Sequence, residues 1–350
     1  MSVWDSIASA RDAREGSGLH ELPPQSAVSL TFCNRGENNP GMQKIGGEAT
    51  QLVTGDMLEA AKMQWEAGNV AGSGVVSVGE AELYDLGAMV VGEVDKLFAI
   101  GTCKPSKGVV LPRKEDAKVL VLRGFAQRLL GEDACGQIEH ELELQFRSGK
   151  IDKKKLNDRR NVVQNKNARW NNVMADFDQE PDIAHGKGTV VKTSDYPFIN
   201  ALAAEAGMYM QQNFVICEQN RYYDVFGGGS NKKGCGIGWH GDGEREVVFG
   251  YRAGEATKQM PLMFQAFYDK CPIGPKTTIP LRRGDAYIMS SKAVGTDWLS
   301  PSLLTWRHAA GKPDRCTYVK DKPTREQKAV LKGIAKKKAA KDVTTFYTAP

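Results

Sequence analysis

A histidine and an aspartate separated by one residue supply two candidate metal ligands in the run Gly-Trp-His240-Gly-Asp242-Gly. On a strand, both side chains point to one side of the pleat and can take adjacent positions on one metal ion. Of the five histidines, only His308 lies downstream of this pair. Two histidines and one carboxylate form a facial triad, which leaves iron(II) with open positions for a cosubstrate and oxygen. We therefore predict that His240, Asp242 and His308 are metal ligands at a catalytic centre.

The composition is that of an ordinary globular protein. The chain has 350 residues, of which 41% are hydrophobic and 25% are charged, enough for one large or two medium domains. The seven cysteines form no CxxC pair, which favours a reducing intracellular compartment, the cytoplasm or nucleus, over a disulfide scaffold or a zinc ribbon. Residues 1–20 lack the apolar core of a secretory signal, and no apolar run reaches the roughly 20 residues of a membrane span. We expect a soluble protein that is not secreted and does not bind membranes.

Short strands separated by turn signals dominate the second half of the chain. Strands are expected at Thr277–Leu281 and Ala286–Ser290, for example, with Arg-Gly-Asp285 as the turn between them. Further upstream, Lys118 begins a buried strand that runs into a helix ending near Leu130. Many short strands at this spacing, with candidate ligands on two of them, predict an α+β fold built on a double-stranded β-helix, or jelly roll, with flanking helices.

The N-terminal part is predicted as a separate small domain. It contains an alternating strand at Ala27–Cys33 and a helix that begins after the cap residue Thr54. No motif in it indicates a function. We expect no more of this domain than the binding of a partner that the sequence does not identify. The predicted parts of the chain are a polar arm (1–25), a small α+β domain (26–102), a linker (103–117), the jelly-roll domain (118–322) and a lysine-rich tail (323–350).

A cluster of positive charge lies in residues 150–169, which contain eight lysines and arginines and are followed by Trp170. Such a cluster can neutralise the phosphates of a nucleic acid and release their counterions. The alternative is a solvated helix face or a mobile loop. Beside a site that modifies bases, the binding interpretation is favoured, and we predict DNA or RNA as the partner of this segment.

The motifs around the triad resemble those of the AlkB-type branch of the 2-oxoglutarate- and iron(II)-dependent dioxygenases. The run Asn220-Arg-Tyr222, the His-x-Asp motif, the run Leu-Arg-Arg-Gly-Asp285 and a late histidine follow one another in the family's order. The resemblance covers roughly residues 118–322. It implies Fe(II), 2-oxoglutarate and O2 as cofactors and cosubstrates. It also implies oxidation of a C–H bond on a nucleobase, by demethylation or hydroxylation, as in DNA repair.

The resemblance also implies roles for individual residues. Asn220 and Tyr222 would hydrogen-bond the carboxylates of 2-oxoglutarate. In the family, an arginine after the distal histidine pairs with the far carboxylate; here the run Arg315-Cys-Thr-Tyr-Val-Lys320 departs from the family's Arg-x-Asn-x-Thr-x-Arg. Arg315 and Lys320 are both candidates, and a regular strand would turn only one of them to the site. The candidates for substrate contact are aromatic or polar residues near the His-x-Asp motif or in the family's substrate-facing lid: Trp239, Glu244, Arg169, Trp170 and Asp176.

Two other functions stay open from the sequence. The same chemistry could act on a protein side chain or a small molecule. A catalytically silent jelly roll that binds nucleic acid or protein is the alternative from a different class, and succinate release from 2-oxoglutarate separates it from an enzyme.

Overall fold

The computed structural model describes residues 2–14, 18–37, 39, 41–68, 79–90, 115–157, 159–213, 215–227, 234–268 and 271–312. They form a mixed α+β fold with a large, mainly antiparallel sheet, a smaller sheet and several helices. The helices are α1 Val3–Asp12, α2 Gly55–Glu66, α3 Phe125–Leu130, α4 Ala134–Arg147, α5 Pro197–Met210 and α6 Ser291–Val294. The strands are β1 Ala27–Cys33, β2 Arg35–Glu37, β3 Lys44–Gly46, β4 Ala81–Asp85, β5 Lys118–Leu122, β6 Lys154–Asn157, β7 Val162–Asn165, β8 Trp170–Ala175, β9 Val190–Lys192, β10 Ile216–Tyr222, β11 Ile237–His240, β12 Val248–Ala253, β13 Leu262–Tyr268, β14 Cys271–Ile279, β15 Ala286–Met289 and β16 Thr305–Ala310.

The N-terminal strand β1 lies at the centre of the large sheet, whose order is β4-β5-β15-β12-β1-β10-β8-β9. It is antiparallel to both neighbours, with Ser29 opposite Asn220 on one side and Arg252 on the other. The alternating pattern of residues 27–33 predicted this strand correctly. β4 likewise pairs with β5. Two strands from the segment that was predicted as a separate domain, 26–102, therefore belong to the sheet formed with the rest of the chain.

The large sheet is buried on both faces. On one face, Phe32 of β1 and Phe249 of β12 pack with the helices in the largest apolar cluster. On the other face, Val119 and Met289 pack with Phe264 of the small sheet. Successive side chains of a strand alternate between faces, so each strand contributes to both layers. The molecule therefore has a helical layer, the large sheet and the small sheet, and the space between the two sheets is available for a site.

The small sheet has the order β11-β16-β13-β14. His240 on β11 is directly opposite His308 on β16, and His308 is also opposite Phe264 on β13. Antiparallel partners place their side chains on the same face at close range. Two histidines far apart in sequence are thus neighbours across one ladder.

The predicted polar arm contains a helix, α1, which is docked on the helical layer. Ile7 is buried in the main apolar cluster. Arg11 forms an ion pair with Asp133 at 2.7 Å, and Arg14 forms one with Glu141 at 3.3 Å. Residues 313–350, which include the predicted tail, and most of the linker lie outside the described residues. No helix in the described ranges combines the length and apolarity that crossing a membrane requires.

Gly250 sets the spacing in the cavity-facing layer of the large sheet. A Cβ added at Gly250 would lie 2.0 Å from Cζ of the Tyr287 ring, which covers it. We expect Gly250→Ala to lower the free energy of unfolding by about 1–3 kcal/mol, because the ring or the strand must move. Gly238→Ala, on β11, is the matched control, since a Cβ there meets nothing within 4 Å. Urea denaturation of both variants checks this, and equal stabilities would show that the ring yields freely.

Candidate metal centre

The three predicted ligands come together at the edge of the small sheet. His240 is the last residue of β11 and His308 lies within β16, which fixes the two rings side by side with centroids 4.4 Å apart. β11 ends before Asp242, so this residue lies in the following turn and not on the strand that the sequence pattern suggested. The backbone N–H of Asp242 donates to Val294 O at 3.1 Å. This bond ties the turn to α6.

The ligand atoms converge on one point. Nε2 of His240 lies 3.4 Å from Oδ1 of Asp242, and Nε2 of His308 lies 3.6 Å from the same oxygen. Nδ1 of His240 lies 2.7 Å from Gly238 O. An Nδ1–H that donates there leaves the Nε2 lone pair turned toward Asp242, the arrangement that metal-bound histidines use.

Arg245 holds the other side of the carboxylate. Its Nε lies 3.7 Å from Oδ2 of Asp242, and its Nη2 donates to Glu218 at 2.6 Å. Burial disfavours the charge on Asp242, but Arg245 and the two histidines outweigh burial and hold the pKa of Asp242 well below its usual range. Burial lowers the pKa of His308, although Asp242 beside it acts in the opposite direction. The site is therefore preset with an ionised carboxylate and a neutral His308, the forms that bind metal.

The donor set fits a divalent metal ion. Donor atoms bound about 2.1 Å from one metal at right angles lie about 3 Å apart, close to the observed separations. Nδ1 of His308 is buried and has no hydrogen-bond partner among the described residues, whereas Oδ1 of Asp242 faces both rings. Asp242 and His308 keep 10% and 8% of their side chains exposed and His240 keeps 25%, so the open side of the cluster is at His240. Two nitrogens and one carboxylate oxygen suit iron(II).

The triad opens on a cavity of about 930 Å³ between the sheets. Side chains from β1, β10, β12 and β15 form one wall, and the small sheet forms the other. Trp298, from the segment between α6 and β16, also lines it, and a Cβ at Gly241 would lie 2.6 Å from Cβ of Trp298. Glycine at 241 therefore lets this segment close one side of the cavity.

The chain is similar in sequence to a viral protein. The chain is 32% identical over 291 residues to the uncharacterized protein R156 of Acanthamoeba polyphaga mimivirus, a match that spans 82% of this chain and 96% of the viral protein. The chain belongs to the same family as this viral protein. No protein-family model matches the chain, and no solved structure matches it. Because the relative is uncharacterized, the function must be inferred from the site itself.

Most of the other predicted site residues line the same cavity. Asn220, Tyr222, Trp239, Glu244 and Arg169 all do so. The Asn220 amide is engaged on both sides, because its Oδ1 accepts from Arg169 and its Nδ2 donates to Glu218 at 3.1 Å. Glu244 binds Arg245, with 3.0 Å between Oε1 and Nε.

Two predicted substrate residues lie elsewhere. Trp170 pairs with Arg221, one residue from Asn220 and so on the opposite face of the sheet. Its ring stacks between Phe146 at 5.7 Å and Tyr223 at 4.2 Å. Asp176 follows β8 and lines a second cavity beside α5. Trp170 and Asp176 therefore lie outside the lining of the triad cavity, and Arg315 and Lys320 lie outside the described residues.

An arginine that the sequence did not single out lies in the cavity wall. Arg252 on β12 is 1% exposed and lines the cavity. Its Nε and Nη1 have no hydrogen-bond partner within the described part of the chain. The other two arginines of the wall differ, since Arg245 pairs with carboxylates and Arg169 donates to Asn220. A buried guanidinium without an anion is unfavourable, so Arg252 is suited to an anionic ligand that enters the cavity.

Metal binding should weaken in mild acid. Burial places the pKa of His308 below its ordinary value of 6.5, so this ring stays neutral until the pH falls through that lowered value. Protons then compete with the metal, and affinity drops by up to about tenfold per pH unit for each histidine that must lose a proton. Calorimetric titration with Co²⁺ from pH 8 downward, for as long as the protein stays folded, measures this. An affinity that is constant over this whole range would contradict histidine ligation.

Proposed function

We propose that the chain is an AlkB-type dioxygenase that uses iron(II), 2-oxoglutarate and O2 to oxidise a C–H bond of a nucleobase in DNA or RNA, by demethylation or hydroxylation. The observation that supports this most is the convergence of both Nε2 atoms on Oδ1 of Asp242, at 3.4 and 3.6 Å, in the wall of a 930 Å³ cavity. Three protein ligands on one side of a metal leave the cavity side for ligands from solution.

The arrangement of the strands supports a jelly roll. From β10 to β16, consecutive strands alternate between the large and the small sheet, apart from the β13–β14 hairpin. Such alternation between two facing sheets is typical of double-sheet Greek-key folds. β1 then completes the large sheet between β10 and β12 from the opposite end of the chain. The proposed jelly roll therefore includes residues from outside 118–322.

Arg252 is the proposed partner of the far carboxylate of 2-oxoglutarate. It faces the cavity in the row Arg252–Ser29–Asn220, three residues that are opposite one another on β12, β1 and β10. Tyr222 lies two residues beyond Asn220 on the same face. A guanidinium grips a carboxylate with two parallel hydrogen bonds, and the low dielectric strengthens both. Arg315 and Lys320 remain the candidates that the family resemblance implies.

The protein contributes binding and orientation. When bound, iron(II) with O2 supplies the oxidising chemistry, in which 2-oxoglutarate becomes succinate and CO2, one oxygen atom enters succinate and the other enters the substrate. His240 keeps its Nε2 lone pair toward the metal position through the Gly238 carbonyl, and Arg245 leaves Oδ1 of Asp242 free for it. Arg252 would hold the cosubstrate from the large sheet, and Trp298 would limit water on the opposite side.

Succinate release tests the proposal. Full-length protein is incubated with iron(II), 2-oxoglutarate and methylated oligonucleotides, with His240→Ala as the inactive variant. His185→Ala is the matched control, because His185 also lies beside a carboxylate, Asp182 at 2.8 Å, but on an exposed turn. Turnover in the wild type and in His185→Ala, lost in His240→Ala, supports an oxygenase. Equal, near-zero turnover in all three would favour a silent binding protein.

The product identifies the substrate class. Mass spectrometry of nucleosides from the treated oligonucleotides shows whether a methyl group is lost or a hydroxyl group is gained. Succinate release that no oligonucleotide stimulates would point to a protein side chain or a small molecule.

A further inference from the structure

A two-stranded hairpin stands at the mouth of the triad cavity, outside the two main sheets. It consists of β6 and β7, which the sequence marked only as a basic segment. Its register pairs Lys155 with Gln164 and Asn157 with Val162. Residues that are directly opposite share a face, and so do residues two apart on one strand. One face therefore carries Lys155, Asn157, Val162 and Gln164, and the other carries Lys154, Leu156, Val163 and Asn165.

The two faces have different surroundings. Lys155 lines the triad cavity, so its face is turned toward the site. On the other face, Leu156 packs on the turn at residues 183–186: its Cδ2 would lie 3.8 Å from a Cβ at Gly186. The same turn accepts the Gln43 N–H at Gly186 O, 2.8 Å away, beside the β2–β3 hairpin. The hairpin is thus supported from behind and presents one defined face to the cavity.

The inward face carries recognition chemistry. Lys155 offers a mobile cation, and Asn157 and Gln164 offer amides that each combine a donor and an acceptor. Asn157 Nδ2 donates to Gln164 Oε1 at 3.4 Å, and Asn157 Oδ1 accepts from the Arg160 N–H at 3.2 Å. Each of these amide groups has room for one further hydrogen bond, because an amide NH₂ carries two donors and its oxygen two lone pairs. Paired amide donors and acceptors match the edges of nucleobases, adenine above all, while lysine matches phosphate. All three residues are half-buried, unlike the exposed Lys154 and Asn165 next to them.

On the basis of the proposed function, we infer that this inward face reads the nucleotides next to the reacting base in an unpaired stretch of nucleic acid. A cavity of 930 Å³ has the volume of a small-ligand pocket and does not hold a duplex, so a base that enters it beside Lys155 must be unpaired. Lys155 binds a flanking phosphate and the two amides distinguish bases. Nucleic acid fits this face better than an acidic protein segment, because an acidic segment would need cations where the two amides lie.

Two matched pairs of variants test the inference in the full-length His240→Ala protein, which carries the same hairpin and cannot turn over. Fluorescence anisotropy with a labelled single-stranded oligonucleotide gives the affinity at several salt concentrations. Lys155→Ala should weaken binding about five- to tenfold and reduce the salt slope by about one. Lys154→Ala removes the same charge from the other face, so its effects on the affinity and on the salt slope should each be less than half as large. Gln164→Ala should change the ratio of affinities for oligo-dA and oligo-dC at least about fivefold at unchanged salt slope, and Asn165→Ala should not.

Equal effects within each pair would overturn the inference, since the charge or the amide would then act without regard to face. Competition by a glutamate-rich peptide at the same concentration as the oligonucleotide would overturn it as well, in favour of an acidic protein partner. The result is independent of the proposed chemistry. Face-dependent binding without any succinate release would sustain the hairpin's role and refute the oxygenase, and succinate release with indistinguishable pairs would do the reverse.

Discussion

Asp242→Asn is expected to lower the affinity for iron(II) by more than about 100-fold, because even residues that only support a ligand cost 10–100-fold when changed. Asparagine keeps the shape of the side chain and one carbonyl oxygen but removes the negative charge. Oδ1 is the atom that both histidines face, at 3.4 and 3.6 Å, so its charge provides most of the attraction for a dication. Titration of the metal-free protein with Fe²⁺ under anaerobic conditions, or with Co²⁺, measures the loss.

Glu244→Gln is the matched control for this prediction. Glu244 is two residues away, binds the same Arg245 side chain and also lines the cavity, but it is not part of the triad. Its loss should leave the metal affinity within about threefold, or about 0.7 kcal/mol. If both variants lose affinity equally, the metal is attracted by the general negative charge of the cavity and not held by Asp242.

The approach of the three triad residues could be predicted from one local pattern and from the lack of any other histidine downstream. A histidine and an aspartate two apart are close in almost any extended conformation, and His308 was the single histidine left downstream. The exact position of Asp242 was harder to predict. β11 ends at His240, so the position of Asp242 depends on the bond from its N–H to Val294 and on Arg245, contacts that no spacing in the sequence specifies.

The place of β1 could not be predicted, although its strand character could. Alternation over residues 27–33 indicates a strand, but pairing with β10 and β12 joins residues about two hundred positions apart in the chain. The position of Arg252 could not be predicted for the same reason, because it too depends on long-range strand pairing. In isolation, the run Val-Phe-Gly-Tyr-Arg252-Ala predicts a strand with one charged side chain. Only the register with Ser29 and Asn220 shows that this side chain lies in the wall of the cavity.

Helix α4 was not predicted, because six of its ten buried residues are polar. Ten of its fourteen residues are buried, including Glu139, Glu141 and Glu143. Glu139 binds Arg283 at 2.6 Å, Glu143 binds Arg221 at 2.7 Å, and Glu141 accepts the N–H groups of Phe198 and Ile199 at the start of α5. Hydrophobic periodicity cannot reveal a helix that is held by buried ion pairs and by capping of a neighbour. The Arg283 that seemed to belong to a turn is one of these partners.

Arg252→Met is expected to separate stability from function. The substitution removes a buried guanidinium whose Nε and Nη1 lack hydrogen-bond partners in the described structure, and it keeps most of the side-chain volume. The free energy of unfolding of the metal-free protein should therefore stay the same or rise by about 1–3 kcal/mol. Affinity for 2-oxoglutarate should fall about 100-fold, because a buried charge pair that loses one partner costs about 2–5 kcal/mol. Urea denaturation and anaerobic calorimetry of the metal-loaded protein measure the two quantities.

A second ligand, 2-oxovalerate, which lacks the far carboxylate, makes this prediction specific to Arg252. Wild-type protein should bind 2-oxoglutarate much more tightly than 2-oxovalerate, which has the same keto acid end, and Arg252→Met should bind the two about equally, since only the removed contact distinguishes them. Arg282→Met removes an equal charge from an exposed position and should keep the discrimination. If Arg252→Met also keeps this discrimination, while Arg315→Met or Lys320→Met abolishes it, the far carboxylate is bound where the family resemblance places it. Arg252 would then be a buried charge that does not bind the cosubstrate.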